Sequence, residues 1–244
     1  MKTTIDITDE RTVCKKCTDC GQSFEYETFT VFGKHYDPEC ESCDGCDEKR
    51  KDRVTLEARK VNAIREWERV VPPTYRETDI KHADYPMPIH KMAMGWSNGQ
   101  DVMRNPRRPF LGLVGESGRC KTRIMAQVIR QMIWQGCRCE WVNATQFQWC
   151  VQHAFDDEHK RDASRHLEKY RTCQILAFDD LGKQKWTDSV ESSFYDLLEY
   201  RSSNLLSLVW TSNADMEELG AMLSQDRSKP ITGRLIDYSN IILV

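Results

Sequence analysis

The chain has 244 residues, 39% of them hydrophobic and 30% charged, with a formal net charge of -3 at pH 7. That length allows one large domain, or a medium domain with a small appendage, and the composition is enough for a core beneath a heavily charged surface. A balance so near neutrality excludes a global electrostatic pull toward nucleic acid or membrane, so any such binding must come from local patches.

The first ten residues, Met1–Glu10, contain no apolar core of the kind a secretory signal needs. No apolar run approaches the roughly 18 residues of a membrane span. The expectation is a soluble, cytoplasmic chain with no membrane partner.

Six of the eleven cysteines fall between Cys14 and Cys46. The other five, Cys120, Cys137, Cys139, Cys150 and Cys173, sit in apolar or phosphate-loop positions and read as buried or free thiols. The cluster runs Cys14-x2-Cys17-x2-Cys20-Gly21 and then Cys40-x2-Cys43-x2-Cys46. A tetrahedral zinc site takes four thiolates, usually as two C-x2-C pairs on tight turns. Six cysteines for four places leave alternatives. Cys17 and Cys20 are favoured because Gly21 supplies the positive φ that such a knuckle wants. Cys40 and Cys43 are favoured because Asp37-Pro38 sets up a turn before them. Cys14 and Cys46 stay in reserve, and His35 has no second ligand spaced to accompany it. Redox-active or oxidised thiols are the competing reading. Phe24–Val31 alternates like a hairpin, which suits a zinc ribbon or treble-clef module over residues 1–48. A module so small cannot bury a core without its metal, so the Zn²⁺ is expected to be structural.

Lys49–Arg69 carries eight Lys/Arg against four acids, and Val54, Ala58, Val61 and Ile64 fall at helical spacing. This predicts a basic amphipathic helix, stopped by Val71-Pro72-Pro73, as a linker over residues 49–72. It is either a solvated spacer or a surface for a phosphate backbone or a protein. Residues 73–108, with Pro86, Pro88 and Pro106, form a connecting segment around the core. Within it, Tyr75 and Trp96 are either the wall of a base pocket or ordinary core aromatics.

The core is expected over residues 109–244. Phe110–Val114 reads as a buried strand, and Thr122–Gln135 as a helix with a stripe of Ile124, Val128 and Met132. Between them lie Gly115, Glu116, Ser117, Gly118, Arg119, Cys120, Lys121 and Thr122, followed by Arg123. The phosphate-loop pattern is G-x-x-x-x-G-K-[ST], with Cys120 where the second glycine belongs. Loop N–H groups and the helix dipole there favour phosphates. Cys139–Val142 reads as the next strand, and Gln146–Tyr170 as a polar helical stretch. The apolar run Gln174–Gly182 ends in Asp179 and Asp180, about sixty residues after the phosphate loop. A strand of this kind delivers carboxylates to the sheet edge, Asp179 for Mg²⁺ and Asp180 for the attacking water. A helix over Val190–Arg201 precedes a strand ending in Thr211-Ser212-Asn213. There Asn213 is either a γ-phosphate sensor or a simple strand-to-turn boundary. Ile231–Ile236 places Arg234 on a short helix, and Ile241–Val244 closes the chain as a strand. Alternation of this kind implies a parallel sheet covered on both faces, with ligand at the carboxyl ends of the strands.

These motifs resemble the AAA+ ATPases of the DnaC/IstB type, which include bacterial and phage helicase loaders and transposition helpers. The resemblance covers roughly residues 109–244. It rests on Gly115–Thr122, Asp179-Asp180-Leu181-Gly182, Thr211-Ser212-Asn213 and Gly233-Arg234-Leu235. It implies a lidless P-loop NTPase core of the AAA+/ASCE class that binds ATP and Mg²⁺ between the subunits of an ATP-dependent homo-oligomer. Lys121 would hold the β- and γ-phosphates, and Arg234, with Arg227 as fallback, would be the finger reaching a neighbour's γ-phosphate. Otherwise both are ordinary surface arginines. Single-stranded DNA and a replicative helicase are the implied partners. The alternatives are a transposition helper acting with a transposase on duplex DNA, or a non-hydrolysing scaffold that binds zinc and nucleotide. Two departures from the pattern predict slow turnover, closer to a switch than a motor. Cys120 is tolerated in the loop if its φ is negative, and Asp180 is one methylene shorter than the usual glutamate.

Overall fold

In the computed structural model, residues 7–31, 34–36, 41–82, 84–98 and 109–244 are described. Strands β1 (Ile7–Lys16), β2 (Ser23–Val31) and β3 (Lys34–Tyr36) form an antiparallel sheet in that order. The segment Phe24–Val31, expected as a hairpin, is instead one strand at the centre of this sheet. It has no internal turn residue, so the hairpin is β1–β2 and its turn carries Cys17–Cys20.

Helix α1 (Asp44–Val70) begins five residues before the predicted linker. Asp44 and Asp47 in its first turn and Arg69 in its last complement the helix dipole. It stops before Pro72 and Pro73, the latter opening α2 (Pro73–Arg76). The chain divides into two compact units, Met1–Asn62 and Ala63–Val244. That division lies inside α1, so it coincides with neither the 48/49 nor the 72/73 boundary expected from sequence. The basic stretch is one continuous helix whose Val54 and Val61 are exposed and whose Ala63 and Val70 are buried.

The second unit is built on five parallel strands: β4 (Phe110–Val114), β5 (Cys139–Asn143), β6 (Ile175–Leu181), β7 (Ser207–Ser212) and β8 (Ser239–Leu243). Their order is β5-β6-β7-β4-β8, every pairing parallel. Both faces are buried, which is why the central strands read as continuous apolar runs. Successive side chains alternate between two cores. Phe110, Phe178 and Trp210 pack with helices α5 (Ala144–His153), α7 (Asp188–Ser203) and α9 (Gln225–Tyr238) through Phe147, Phe194 and Leu235. Leu111, Ala177 and Val209 face α4 (Lys121–Trp134) through Ile124, Met125 and Ile129. Helix α3 (Met87–Asn98) packs on α4 and buries Ala93 and Trp96, so Trp96 is a core aromatic.

The single helical stretch expected over Gln146–Tyr170 is two helices, α5 and α6 (Lys160–Thr172). Asp156 breaks it: its carboxylate accepts the Glu158 N–H (3.2 Å). Such local bonding competes with the helix ladder. A further short helix, α8 (Met216–Met222), had no counterpart in the sequence reading. It is set by a capping box in which Asp215 and Glu218 satisfy each other's backbone N–H.

Arg201 is fully buried and, among the described residues, pairs with no carboxylate. Its guanidinium donates to the carbonyls of Tyr170 (2.7 Å), Cys173 (3.1 Å), Gln174 (3.2 Å) and Ser207. It thereby ties the ends of α6, β6 and β7 together. Burial pulls its pKa down, against the Cys173 sulfur beside it. Among the described residues no helix is long and apolar enough to cross a membrane.

Candidate functional site

Strand β7 lies between the phosphate-loop strand β4 and the acid strand β6. Its side chains therefore stand between the loop and the carboxylates. Asp179, at the carboxyl end of β6, is only 4% exposed. Its Oδ1 accepts the Thr211 hydroxyl of β7 (2.6 Å) and the Thr122 hydroxyl of α4 (2.9 Å). Burial raises its pKa, while the hydrogen bonds from Thr211 and Thr122 oppose the rise. Adjacent oxygens of an octahedral magnesium site with bonds of about 2.1 Å lie about 3 Å apart. The Thr122–Asp179 pair matches that spacing, and both are hard oxygen donors suited to Mg²⁺.

Next to Asp179 the β6–β7 register shifts between Phe178 and Leu181, a bulge that carries Asp180 at φ 60°. Its N–H donates to Thr211 Oγ1 (2.9 Å). Its carboxylate turns out of the sheet to a cavity of about 260 Å³, lined also by Ser117–Arg123, Tyr75, Lys183 and Asn213. Lys121 Nζ donates to the carbonyls of Gly115 (2.8 Å) and Glu116 (2.7 Å), so its charge is held across the loop's mouth. Burial lowers its pKa, with the Asp180 and Asp179 charges working the other way. Tyr75 stacks on Trp141 at 6.1 Å, and its ring also receives the Arg123 guanidinium at 6.0 Å. Gly115 admits no side chain, since a Cβ there would lie 2.1 Å from the Val244 carbonyl oxygen.

The negative φ that would ease Cys120 into the loop is not found. Cys120 sits at φ 60° and ψ 16° as the N-cap of α4. The turn into the helix demands the left-handed geometry of the missing glycine, and cysteine adopts it at a cost of roughly 1–2 kcal/mol.

Arg234 does not line this cavity. It pairs with Glu199 of α7 and lies over the Tyr195 ring at 4.5 Å; Arg227 lies over the same ring at 5.1 Å. Two contributors went unnoticed in the sequence. Thr211 was read only as part of a sensor triplet, and Lys183 not at all. The one available signal for Lys183 was its place three residues after Asp180, the distance of a turn.

In the first unit, the sulfurs of Cys17, Cys20, Cys43 and Cys46 lie within 4.8 Å of one another. Of the four ligands expected, Cys17, Cys20 and Cys43 are here and Cys46 joins them, while Cys40 lies outside the described residues. Cys14 stands exposed on β1. One pair is on the β1–β2 turn, where Gly21 takes φ 73°, and the other is at the first turn of α1. Zinc–thiolate bonds of about 2.3 Å give tetrahedral sulfur–sulfur edges of about 3.8 Å. Cys20 and Cys43 are 3.8 Å apart. The N–H of Cys43, helped by those of Cys20 and Asp19, outweighs burial and lowers the Cys17 thiol to about 6. The Cys43 and Cys20 thiols beside Cys46 push it up to about 12. Four sulfurs so close cannot all ionise without a cation among them.

Residues 107–244, more than half of the chain, match the profile of the IstB-like ATP-binding proteins. The chain belongs to that family. It is an AAA+ ATPase of the DnaC/IstB type, with a small N-terminal cysteine cluster suited to zinc. Among solved structures, this IstB-like chain is similar to DnaI, with 20% identity and a TM-score of 0.57 over 73% of this chain and 93% of that one. It is similar to the DnaC helicase loader at 14% identity and a TM-score of 0.54, over 68% and 93%. For domain III of the Thermotoga maritima replication initiation protein DnaA the values are 14% and 0.54, over 72% and 64%. At these identities the likeness is one of fold. No curated protein matches the chain.

The site generates three predictions. Cys120→Gly should stabilise the protein by about 1 kcal/mol, since glycine takes the left-handed conformation freely. Urea unfolding reads this, and an unchanged midpoint would contradict the strain. For Asp179, the folded pKa lies above the unfolded one, so the folded chain holds the proton longer and stability falls as pH rises through that window. Asp179→Asn removes the buried charge but keeps an acceptor for both threonines. It should raise the thermal midpoint at neutral pH without nucleotide while abolishing magnesium-dependent nucleotide binding; a lowered midpoint would count against it. Finally, Cys20→Ser should reduce bound zinc from about one per chain to a small fraction. It should also unfold the N-terminal sheet, read by metal analysis and hydrogen exchange, and full zinc retention would refute the four-cysteine site.

Proposed function

We propose that this chain is a cytoplasmic, ATP-dependent helicase loader of DNA replication. ATP binds between its subunits, and it assembles on single-stranded DNA and engages a replicative helicase. The observation that carries the nucleotide reading is the convergence of Lys121, Thr122, Asp180 and Asn213 on one small cavity, beside the buried Asp179. Fold similarity to DnaI and to the DnaC helicase loader supports the loader reading.

In this reading the β- and γ-phosphate oxygens take Lys121 over from the carbonyls of Gly115 and Glu116, with further donors from the N–H groups of Gly118–Thr122. Thr122 and Asp179 would hold magnesium, whose charge would offset that of the phosphates. Asp180 accepts a proton from water as the water oxygen bonds to the γ-phosphorus. The bond from that phosphorus to the β,γ-bridging oxygen breaks, leaving ADP and phosphate. Asn213 reads the γ-phosphate or the water. The strained Cys120 and the short Asp180 make this step slow. Arg234 acts in trans as the finger, leaving Glu199 for a neighbour's γ-phosphate; such an arginine is worth roughly 10³–10⁵ in rate. Residues 1–48 form the zinc module that grips the partner, residues 49–72 and 73–108 connect it, and residues 109–244 form the ATPase core.

A second reading, a transposition helper acting on duplex DNA, is favoured by the family match itself. Sedimentation with ATP tests both, comparing the wild-type chain with Lys121→Ala and Arg234→Ala. The wild type should form a larger species with ATP and single-stranded DNA, and both variants should stay small. Assembly on duplex DNA alone would transfer support to the second reading. Indifference of size to ATP and to both substitutions would sink the assembly picture.

A further inference from the structure

The nucleotide cavity holds a second lysine that the phosphate-loop pattern does not account for. Lys183 Nζ lies 2.8 Å from Asp180 Oδ2, and both side chains line the cavity that contains Lys121 and Thr122. The turn bearing Lys183 is pinned rather than loose. The Lys183 N–H donates to the Asp180 carbonyl (3.1 Å), and the Gly182 N–H donates to the side chain of the buried Gln184 (2.9 Å). The next residue, Lys185, donates its N–H to Gln148 on α5 (2.8 Å). The backbone therefore delivers Lys183 to one place, beside the carboxylate.

That place has an electrostatic problem to solve. If the cavity takes a nucleoside triphosphate, its terminal phosphoryl group must come close to the Asp180 carboxylate, and two anions at short range repel each other. Lys121 is drawn toward the loop carbonyls of Gly115 and Glu116, on the loop's side of the cavity. Lys183 is the cation on the carboxylate's side. An ammonium has three donors, and Asp180 Oδ2 uses one, so two remain for a phosphoryl oxygen. Its side chain is about half exposed, so the head can move by the small distance such a bridge needs.

Building on the nucleotide reading of this site, we propose that Lys183 is a second phosphate-binding lysine acting in cis. It contacts the terminal phosphoryl group of ATP and offsets that group's repulsion by Asp180. Lys183 thereby distinguishes ATP from ADP. Without a terminal phosphoryl group it stays paired with Asp180 and occupies one oxygen of that carboxylate. With one, it shares its charge and leaves Asp180 free to accept the proton of water.

The test titrates wild type, Lys183→Ala and Lys183→Arg, each with magnesium, against ADP and against an ATP analogue whose β,γ-bridge is a methylene. Lys183→Ala should lose about tenfold or more in affinity for the analogue, as loss of a charge-assisted hydrogen bond does. Its ADP affinity should stay within about twofold, and Lys183→Arg should keep most of the analogue affinity. Equal weakening of both nucleotides would reveal a merely structural role and overturn the proposal, as would no change in either. A wild-type chain that binds neither nucleotide would overturn the nucleotide reading itself, and this proposal with it. Wild-type binding of both, with the analogue unaffected by Lys183→Ala, would remove the lysine's role alone.

Discussion

A single buried carboxylate organises the catalytic unit. Asp179 is an acid set into the carboxyl end of a fully buried strand, and an ionised group there needs partners from several directions. Two threonines provide them, one from the first turn of the phosphate-loop helix and one from the neighbouring strand. Those bonds lock α4, β6 and β7 at the point where a magnesium ion fits. The arrangement depends on the strand order: only because β7 intervenes between β4 and β6 does the Thr211 hydroxyl reach both Asp179 and the Asp180 backbone. The same hydroxyl donates to one acid and accepts from the next, so the two carboxylates are separated in space and in surroundings. Asp179 points into the core and Asp180 into the cavity.

Strain is concentrated around this junction. Three non-glycine residues adopt positive φ among the described residues, and two of them are Cys120 and Asp180. Each lies where a strand or loop must turn sharply to present a group to the cavity. Backbone conformations of this kind persist only where surrounding contacts over-determine them. For Asp180 the contacts are the Thr211 hydroxyl and the bulge; for Cys120 they are the packed α4 that follows it and the loop held by Lys121.

The N-terminal unit meets a different constraint. Among the described residues its three-stranded sheet buries little apolar surface, and the tight packing of four sulfurs takes the place of a core. Clustering thiols without a cation is unfavourable for their ionised forms, so the cluster is suited to a metal ion such as zinc. The fold of this unit and the fold of the ATPase core are thus stabilised by unrelated physics, joined through the long helix α1.

Much of the second unit was legible in the sequence. The phosphate loop, the acid pair, the polar triplet and the order of strands and helices all follow from local patterns, because strand burial on two faces and helix N-terminal chemistry leave periodic marks. So did the existence of a four-cysteine site. What local pattern does not carry is competition between alternatives of similar local quality. Asp156 breaking a helix depends on side-chain bonds within a stretch whose periodicity is helical throughout. The inclusion of Cys46 in the cluster depends on where α1 begins, since Cys43 immediately precedes the helix and Cys46 lies in its first turn. The positive φ of Cys120 was hidden because residue type predicts the opposite, and only the geometry of the turn overrides that preference. Thr211 was invisible as an acid partner because its role arises from the strand order, which sets β7 beside β6, and Lys183 because only the turn after β6 folds it back onto Asp180. Sequence by itself determined the chemistry available, namely a lysine and a threonine on a phosphate loop, two acids at the end of a strand, and a cluster of cysteines. Tertiary structure alone decided which groups meet, because hydrogen bonds across strands depend on distances that no spacing along the chain records.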